Sequence, residues 1–579
     1  MAQDPRVRMQ KRMGIITVVM FMGIVLLGVK AIELQILESK VLSSKAIDEY
    51  TGFISFQGRR GEIFDAGMKR LGTSIDALSV AACPKIIVDP AECSRALAKI
   101  LDMDRSAVEK HLREDRDFVW IKRQISPTEV EQIKLLGQRG LIFRKDATRF
   151  YPNRELAAQV LGFTGKDGKG LEGVEHEYND ILTGREAKIR ITKDGNGQWF
   201  DTEKGLDGQY AGDSLVLTID GTLQHIAESA LVEAVKKHKG KSGMALIMRP
   251  GTGELLAMAH YPEFNPNAFS EYSRFAWRNR AVIDPFEPGS TMKVFVAATA
   301  MDKGYCTPGS TFYCENGKYK VGRYTVHDTH SYGWLTLSQI ISLSSNIGAV
   351  KVSEVTGREN LYASLTAFGF GQKTGIGCPG ETQGVLIPFS RWSSIDAGAI
   401  AFGQGVSVSA VQLISGISAI ANRGFLMKPL MVKEIISSDG QVVQSFAPVC
   451  VRQAIAERTA VSVRDMMLNV VTEEGTGGNA AVEGYSVCGK TGTAQKVTAG
   501  TKGYSQKNYT ALFVGFAPAT NPEVTVLVIV DEPRGTHYGG EVAAPAFKKI
   551  MTETLHYLNV PPDVEQPHLV ATAAPREKI

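Results

Sequence analysis

Cysteine is scarce, with seven residues in 579, odd in number and without clustered spacing, which excludes a disulfide framework. Cys306 and Cys314 bracket the turn-like TPGSTFY; a bridge in an oxidising compartment and two small buried thiols both remain open. An excess of one charge is also missing. Sixty-five basic residues face 61 acidic ones, and the net +4 gives no reason to expect a nucleic-acid partner. No run of metal-ligand spacing occurs: VHDTH brings His327, Asp328 and His330 together without a third or fourth ligand pattern, so we read a polar loop and expect no metal or cofactor. The glycine-rich stretch Phe368 to Gly377 lacks the strand-loop-helix context of a nucleotide site. Beyond residue 34 no long apolar run appears, which excludes a polytopic protein.

What is present begins with one such run. Gly14 to Val29 carries no charge and continues as KAIEL to Leu34, long enough to span a hydrocarbon core as a helix. Lys30 and Glu33 sit near its end, where long side chains reach the interface. Arg6, Arg8, Lys11 and Arg12 precede it against Asp4, so residues 1–13 are expected in the cytoplasm and everything after Leu34 outside. A cleaved signal peptide is the rival, but LLGVKAIELQILESK offers no small-x-small site before a polar start.

At 579 residues the chain holds more than one core. Residues 40–210 show short strand-like runs, polar connectors and one helical stretch, AECSRALAKILDMDRSAVEKHLRE, without a dominant period, suggesting an extended nonenzymatic arm. The character changes around Lys204 to Ser214. From Leu215 a strand, LVLTI, leads to a helix whose Leu223, Ile226, Ala227, Ala230, Leu231, Ala234 and Val235 form one stripe. ALIMRPGTGELLAMA reads as a hairpin around Pro250 to Gly253, and YTALFVGFAPATNPEVTVLVIV as a second, followed by the helix AAPAFKKIMTETLHYL. The pattern predicts a multidomain α+β protein in which residues 215–558 build an antiparallel sheet flanked by helices. Pro-rich residues 559–579 read as a disordered tail.

Three short motifs carry chemistry. In EPGSTMK, Ser290 precedes a helical run, and alone it reads as an N-cap. Lys293, one turn on, falls on the same face, and its amine could take the proton of the Ser290 hydroxyl if burial or a nearby cation kept it neutral. SLSSNIGAV supplies Ser344 and Asn346, whose bland reading is a polar helix start. CGKTGTAQK supplies Lys490, Thr491, Gly492 and Thr493 on a strand, with Gly492 permitting close backbone approach. A second K-T-G, Lys373 to Gly375, lies in the glycine-rich loop and is the poorer candidate.

The order S-x-x-K, S-x-N, K-T-G, with 54 residues from Ser290 to Ser344 and 200 to Lys490, resembles the serine penicillin-recognising enzymes. Nearly the whole chain resembles a class B penicillin-binding protein. GRRGEIFDAGMKRLGTS matches that family's arm box at Arg60, Gly61, Ile63, Asp65 and Leu71, departing at Ala66, where an arginine is usual, with the glycine displaced to Gly67. RFYPN matches at Arg149, Tyr151 and Pro152, GLEGVEHEYNDILTG at Gly173 and Glu175, and HYGGEVAAPAFKKI matches the segment after the cleft.

The resemblance implies a membrane anchor at 14–34, a pedestal at 40–210 and a transpeptidase domain at 215–558. It implies catalysis by Ser290, Lys293 and Ser344, and substrate binding by Asn346, Lys490, Thr491, Gly492 and Thr493. The backbone N–H groups of Ser290 and Thr493 would form the oxyanion hole. The expected substrates are peptidoglycan stem peptides ending in D-Ala-D-Ala, with β-lactams as mimics. The expected partners are a polytopic glycosyltransferase and other division proteins at the bacterial inner membrane. EPGSTMK, GKTGTAQ and the length look most like the division (FtsI-type) branch. The alternatives are an elongation or sporulation transpeptidase, a D,D-carboxypeptidase, a β-lactamase or a β-lactam sensor.

Overall fold

A computed structural model describes residues 5–116, 118–192, 209–322, 324–497 and 503–564. The expected tail therefore lies outside the described residues from 565 onward, as do residues 204–208 of the expected change of character. The described chain forms two compact units, Met1–Arg59 with Gly184–Ala211, and Arg60–Thr183 with the chain from Gly212 onward.

The first unit contains the helix Pro5–Ile32, which continues through a π-helical turn, Glu33–Leu37, into Ser39–Tyr50. Arg6–Leu37 is the one helix among the described residues long and apolar enough to cross a membrane, and its apolar side chains are exposed throughout. A helix satisfies its own backbone polar groups, as a hydrocarbon environment requires. Thr51–Gln57 pairs antiparallel with Glu186–Thr192, Thr51 opposite Thr192 and Gln57 opposite Glu186.

In the second unit a mixed sheet runs through Val442–Ser445, Val432–Ile436, Ser214–Leu217, Ile63–Phe64, Arg70–Ala82 and Val119–Ile125, with Leu141–Phe150 also on Arg70–Ala82. The strand expected to open the second domain, Ser214–Leu217, thus pairs in parallel with Ile63–Phe64 from the arm segment. The single helix expected over residues 91–114 is two, Pro90–Leu101 and Arg105–Leu112. Asp102 ends the first in a left-handed conformation at φ 49°, and Asp104 caps the second by accepting from the Ala107 N–H at 2.9 Å.

Three separated arm boxes meet at one buried carboxylate. Arg60 Nε donates to Glu175 Oε2 at 2.6 Å, Arg149 Nε to Oε1 at 2.5 Å, and the Tyr151 hydroxyl to Oε1 at 3.1 Å. Burial alone would raise the Glu175 pKa, but Arg149 and Arg60 together hold it below the ordinary carboxylate value.

A second core sheet in this unit is antiparallel and five-stranded, formed by β1 (Ser242–Met248), β2 (Leu255–Tyr261), β3 (Cys488–Val497), β4 (Tyr504–Ala517) and β5 (Val524–Asp531). The spatial order is β3-β4-β5-β1-β2. β1 and β2 turn at Gly253, φ 77°, whose N–H donates to the Arg249 carbonyl at 2.8 Å. The flanking helices are α1 (Gly221–Lys237), α2 (Met292–Asp302), α3 (Asn346–Thr356), α4 (Ala410–Ala421) and α5 (Ala544–Tyr557). Alternation along the strands divides the core. Ala245, Ile247, Phe513 and Val528 pack with α1 and α5, whereas Leu246, Leu512, Val514 and Ile529 pack with α2 and α4. Both faces are covered, so these strands read as near-continuous apolar runs. The end of the described chain lies on this domain, with the Tyr485 hydroxyl donating to the Val560 carbonyl at 2.7 Å.

Candidate active site

Ser290 lies in a 3-10 turn, Gly289–Thr291, that runs directly into α2. The N-cap expectation is therefore corrected: no side-chain cap bond forms there, because Ser290 Oγ faces along the helix and lies within hydrogen-bond distance of Lys293 Nζ, at 3.0 Å. Gly289 has φ 55°, and a Cβ on it would sit 2.9 Å from the Thr493 carbonyl and 3.3 Å from the Thr493 nitrogen. A Cβ on Gly492 would meet Leu512 at 2.7 Å and the Pro288 carbonyl at 3.0 Å. Two glycines thus let the nucleophile turn rest against edge strand β3.

Ser344 and Asn346 come from the start of α3. Ser345 caps that helix by accepting from the Gly348 N–H at 2.9 Å. Asp328, in the loop read as merely polar, accepts from the Ser345 hydroxyl at 2.6 Å and from the N–H groups of Asn346 and Ile347. Anionic oxygen at a helix N-terminus is stabilising and immobilises the first turn. Sequence reasoning missed this function, because the cap comes from 17 residues upstream and has no local signature. Ser344 itself has φ 60°, a conformation that turns both its carbonyl and its hydroxyl toward Lys293.

Lys293 is buried, with four oxygens around Nζ: Ser290 Oγ at 3.0 Å, Ser344 O at 2.5 Å, Ser344 Oγ at 3.2 Å and Asn346 Oδ1 at 2.7 Å. A neutral amine has two N–H groups and one lone pair. The Ser344 carbonyl and Asn346 Oδ1 are obligate acceptors and take the two hydrogens, leaving the lone pair for a hydroxyl proton. The Asn346 orientation is fixed by Nδ2 donating to the His327 carbonyl at 2.9 Å. Burial lowers the Lys293 pKa to about 7, with Asp328 pulling the other way.

Lys490, fully buried on β3, donates to Ser344 Oγ at 3.0 Å, and its pKa is lowered by burial first and by the Lys293 charge second. The second cation expected to depress Lys293 is therefore itself depressed, and desolvation dominates for both. Thr491 Oγ1 lies 3.0 Å from Thr476 Oγ1, and Thr493 Oγ1 accepts from the Gly539 N–H at 3.1 Å. The structure thus gathers Ser290, Lys293, Ser344, Asn346, Lys490, Thr491, Gly492 and Thr493 around one cleft. The second K-T-G is elsewhere: the Thr374 N–H and hydroxyl and the Gly375 N–H all bond to Glu381. Cys306 and Cys314 are free thiols, and Cys314 lies 3.5 Å from the Ser345 hydroxyl.

An amine lone pair on a serine hydroxyl, backed by a second hydroxyl and a second lysine, is the apparatus of acyl transfer through a serine ester. Residues 243–552 match the penicillin-binding protein transpeptidase domain family, and residues 55–217 the penicillin-binding protein dimerisation domain family. The chain belongs to the class B penicillin-binding proteins and is an enzyme of the serine D,D-transpeptidase type. It is similar to Stage V sporulation protein D of Bacillus subtilis, 35% identical over 90% of this chain and 82% of the relative. Peptidoglycan D,D-transpeptidase FtsI of Escherichia coli is 33% identical over 87% of this chain and 84% of the relative. Among solved structures, penicillin-binding protein 3 of Mycobacterium tuberculosis, complexed with aztreonam, superposes with a TM-score of 0.69 at 27% identity. That match covers 88% of this chain and 98% of that one.

Proposed function

We propose that this protein cross-links peptidoglycan stem peptides through a Ser290 acyl-enzyme. Lys293 takes the Ser290 proton, and Oγ attacks the carbonyl between the two D-alanines. The tetrahedral oxyanion rests on the backbone N–H groups of Ser290 and Thr493, each such donor contributing about 10²- to 10³-fold in rate. Ser344, held between Lys293 and Lys490, relays the proton to the departing D-alanine amine. Lys490, Thr491 and Thr493 bind the terminal carboxylate, with Gly492 admitting the donor backbone beside β3, and Asn346 meets the donor amide while holding Lys293. An amine of a neighbouring stem then attacks the ester, giving the cross-link and restoring Ser290. β-Lactams, which mimic the D-Ala-D-Ala end, acylate the same hydroxyl.

The observation that carries this reading is the buried Lys293 amine at 3.0 Å from Ser290 Oγ. The test is labelling of the full-length protein with a fluorescent penicillin beside Ser290→Ala: the parent forms a stable adduct and the variant none. Equal labelling of the variant would remove Ser290 from the mechanism, and rapid hydrolysis of the penicillin by the parent would point to a β-lactamase instead.

Arg6, Arg8, Lys11 and Arg12, at the N-terminal end of the helix Arg6–Leu37 and ahead of its apolar run, support a single-pass anchor with its N-terminus in the cytoplasm and the cleft outside. The likeness to FtsI supports a division role at the septum, and in that role its partners would be a polytopic glycosyltransferase and other division proteins. The likeness to Stage V sporulation protein D favours a sporulation role. Depletion in growing cells separates them: filaments indicate division, rounding indicates elongation, and a defect confined to spores indicates sporulation.

A further inference from the structure

A shallow, partly solvent-open cleft with an enclosed volume of about 40 Å³ lies in the transpeptidase domain away from Ser290, between the glycine-rich loop, α4 and the strand pair Phe425–Met427 with Cys450–Gln453. Phe368 and Leu426 line it with apolar surface, Lys373, Lys428 and Arg452 bring three cations to it, and Ser415 faces it from α4. None of the three cations forms an ion pair among the described residues. Arg452 donates only to neutral oxygens, the Thr366 carbonyl at 3.3 Å and Gln372 Oε1 at 3.1 Å. The Lys428 side chain lies over Gly375, and the nearby Glu381 carboxylate is taken up by Thr374 and Gly375.

Ser415 supplies an independent observation. A helical serine ordinarily returns its hydroxyl to the carbonyl four residues back. Ser415, only 4% exposed, has no partner for its hydroxyl among the described residues. A buried donor left unmade costs free energy that a bound acceptor would recover.

We propose that this cleft binds a small organic anion, its carboxylate or phosphate group held by Lys373, Lys428, Arg452 and the Ser415 hydroxyl, its apolar body on Phe368 and Leu426. We further infer that occupancy is transmitted to the nucleophile, a step that rests on the catalytic reading above. Phe368 meets Phe295 edge-on at 4.9 Å, and Phe295 lies on α2 two residues after Lys293. Phe370 meets the same ring at 4.9 Å, and Gly416 of α4 leaves no room, since a Cβ there would stand 3.1 Å from it. A ligand that moves Phe368 therefore pushes on the helix that aims Ser290 and Lys293.

The test titrates the full-length protein with phenyl phosphate and with phthalate, sulfate serving as the bare-charge control, and repeats it on Lys373→Ala/Lys428→Ala and Ser415→Val. Saturable binding of either aromatic dianion, weakened at least tenfold in the double variant and measurably in Ser415→Val, supports the site. The stronger of the two probes distinguishes a phosphate from a carboxylate ligand. Coupling is read as a twofold or larger change in the wild-type penicillin acylation rate at saturating probe that the double variant lacks. No saturable binding, or equal affinity in the variants, overturns the site, and binding with an unchanged acylation rate overturns the coupling. If the wild-type protein takes no penicillin at all, the catalytic reading and the coupling fall together, while the titration still decides the cleft.

Discussion

Acylation of Ser290 by a penicillin should accelerate as pH rises through neutrality, because only the unprotonated Lys293 amine can accept the hydroxyl proton. Burial lowers the Lys293 pKa to about 7. With that value the neutral fraction rises from roughly 0.1 at pH 6 to roughly 0.9 at pH 8, so the acylation rate should climb about tenfold across that interval and flatten above it. The second arm of the experiment is Asp328→Asn. The Asp328 charge holds the Lys293 pKa up against burial, so its removal should shift the profile toward lower pH. An asparagine oxygen can still accept from the Asn346 and Ile347 N–H groups, which should keep α3 in place. The assay is stopped-time labelling with a fluorescent penicillin between pH 5.5 and 9, at constant ionic strength and with thermal unfolding measured at each pH. A rate independent of pH in the folded protein would refute Lys293 as the base, and a midpoint moved upward in Asp328→Asn would refute the electrostatic assignment.

Other outcomes follow from the same contacts. Asn346→Ala removes an acceptor of a buried Lys293 N–H, which should cost about 1–3 kcal/mol and slow acylation roughly ten- to a hundredfold, read in the same labelling assay. Glu175→Gln leaves Arg60 and Arg149 facing no anion and should destabilise the fold by about 3–5 kcal/mol in denaturant unfolding. Because the folded-state pKa of Glu175 lies below its ordinary 4.5, its contribution is full above that value and is lost as pH falls through the lowered one. The variant should therefore lose less stability on acidification than the parent. Gly403→Ala places a Cβ 2.1 Å from the Gly289 carbonyl at a φ of 82°, and should abolish penicillin labelling while lowering the unfolding temperature.

Much of the site was legible because its parts are short and local. Ser290 and Lys293 share a helix face by spacing, and Lys490 to Thr493 follow one another on a single strand. Asp328 was not legible, since a helix cap supplied from another segment carries no periodicity of its own. The break at Asp102 was signalled by Asp-Met-Asp, yet apolar positions on both sides still fit one helical stripe. The pairing of Ser214–Leu217 with Ile63–Phe64 joins strands about 150 residues apart, and strand patterns specify which face is buried, not which neighbour is chosen.

The sequence by itself determined the apolar helix, the antiparallel sheet with its helical layers and the identity of the groups that meet in the cleft, because each follows from local pattern and residue chemistry. Only the tertiary structure decided the lowered pKa of Lys293, the left-handed turn that aims Ser344, and the convergence of Arg60, Arg149 and Glu175. Desolvation, close approach and ion pairing are properties of surroundings, and those surroundings are assembled from segments that the linear order keeps far apart.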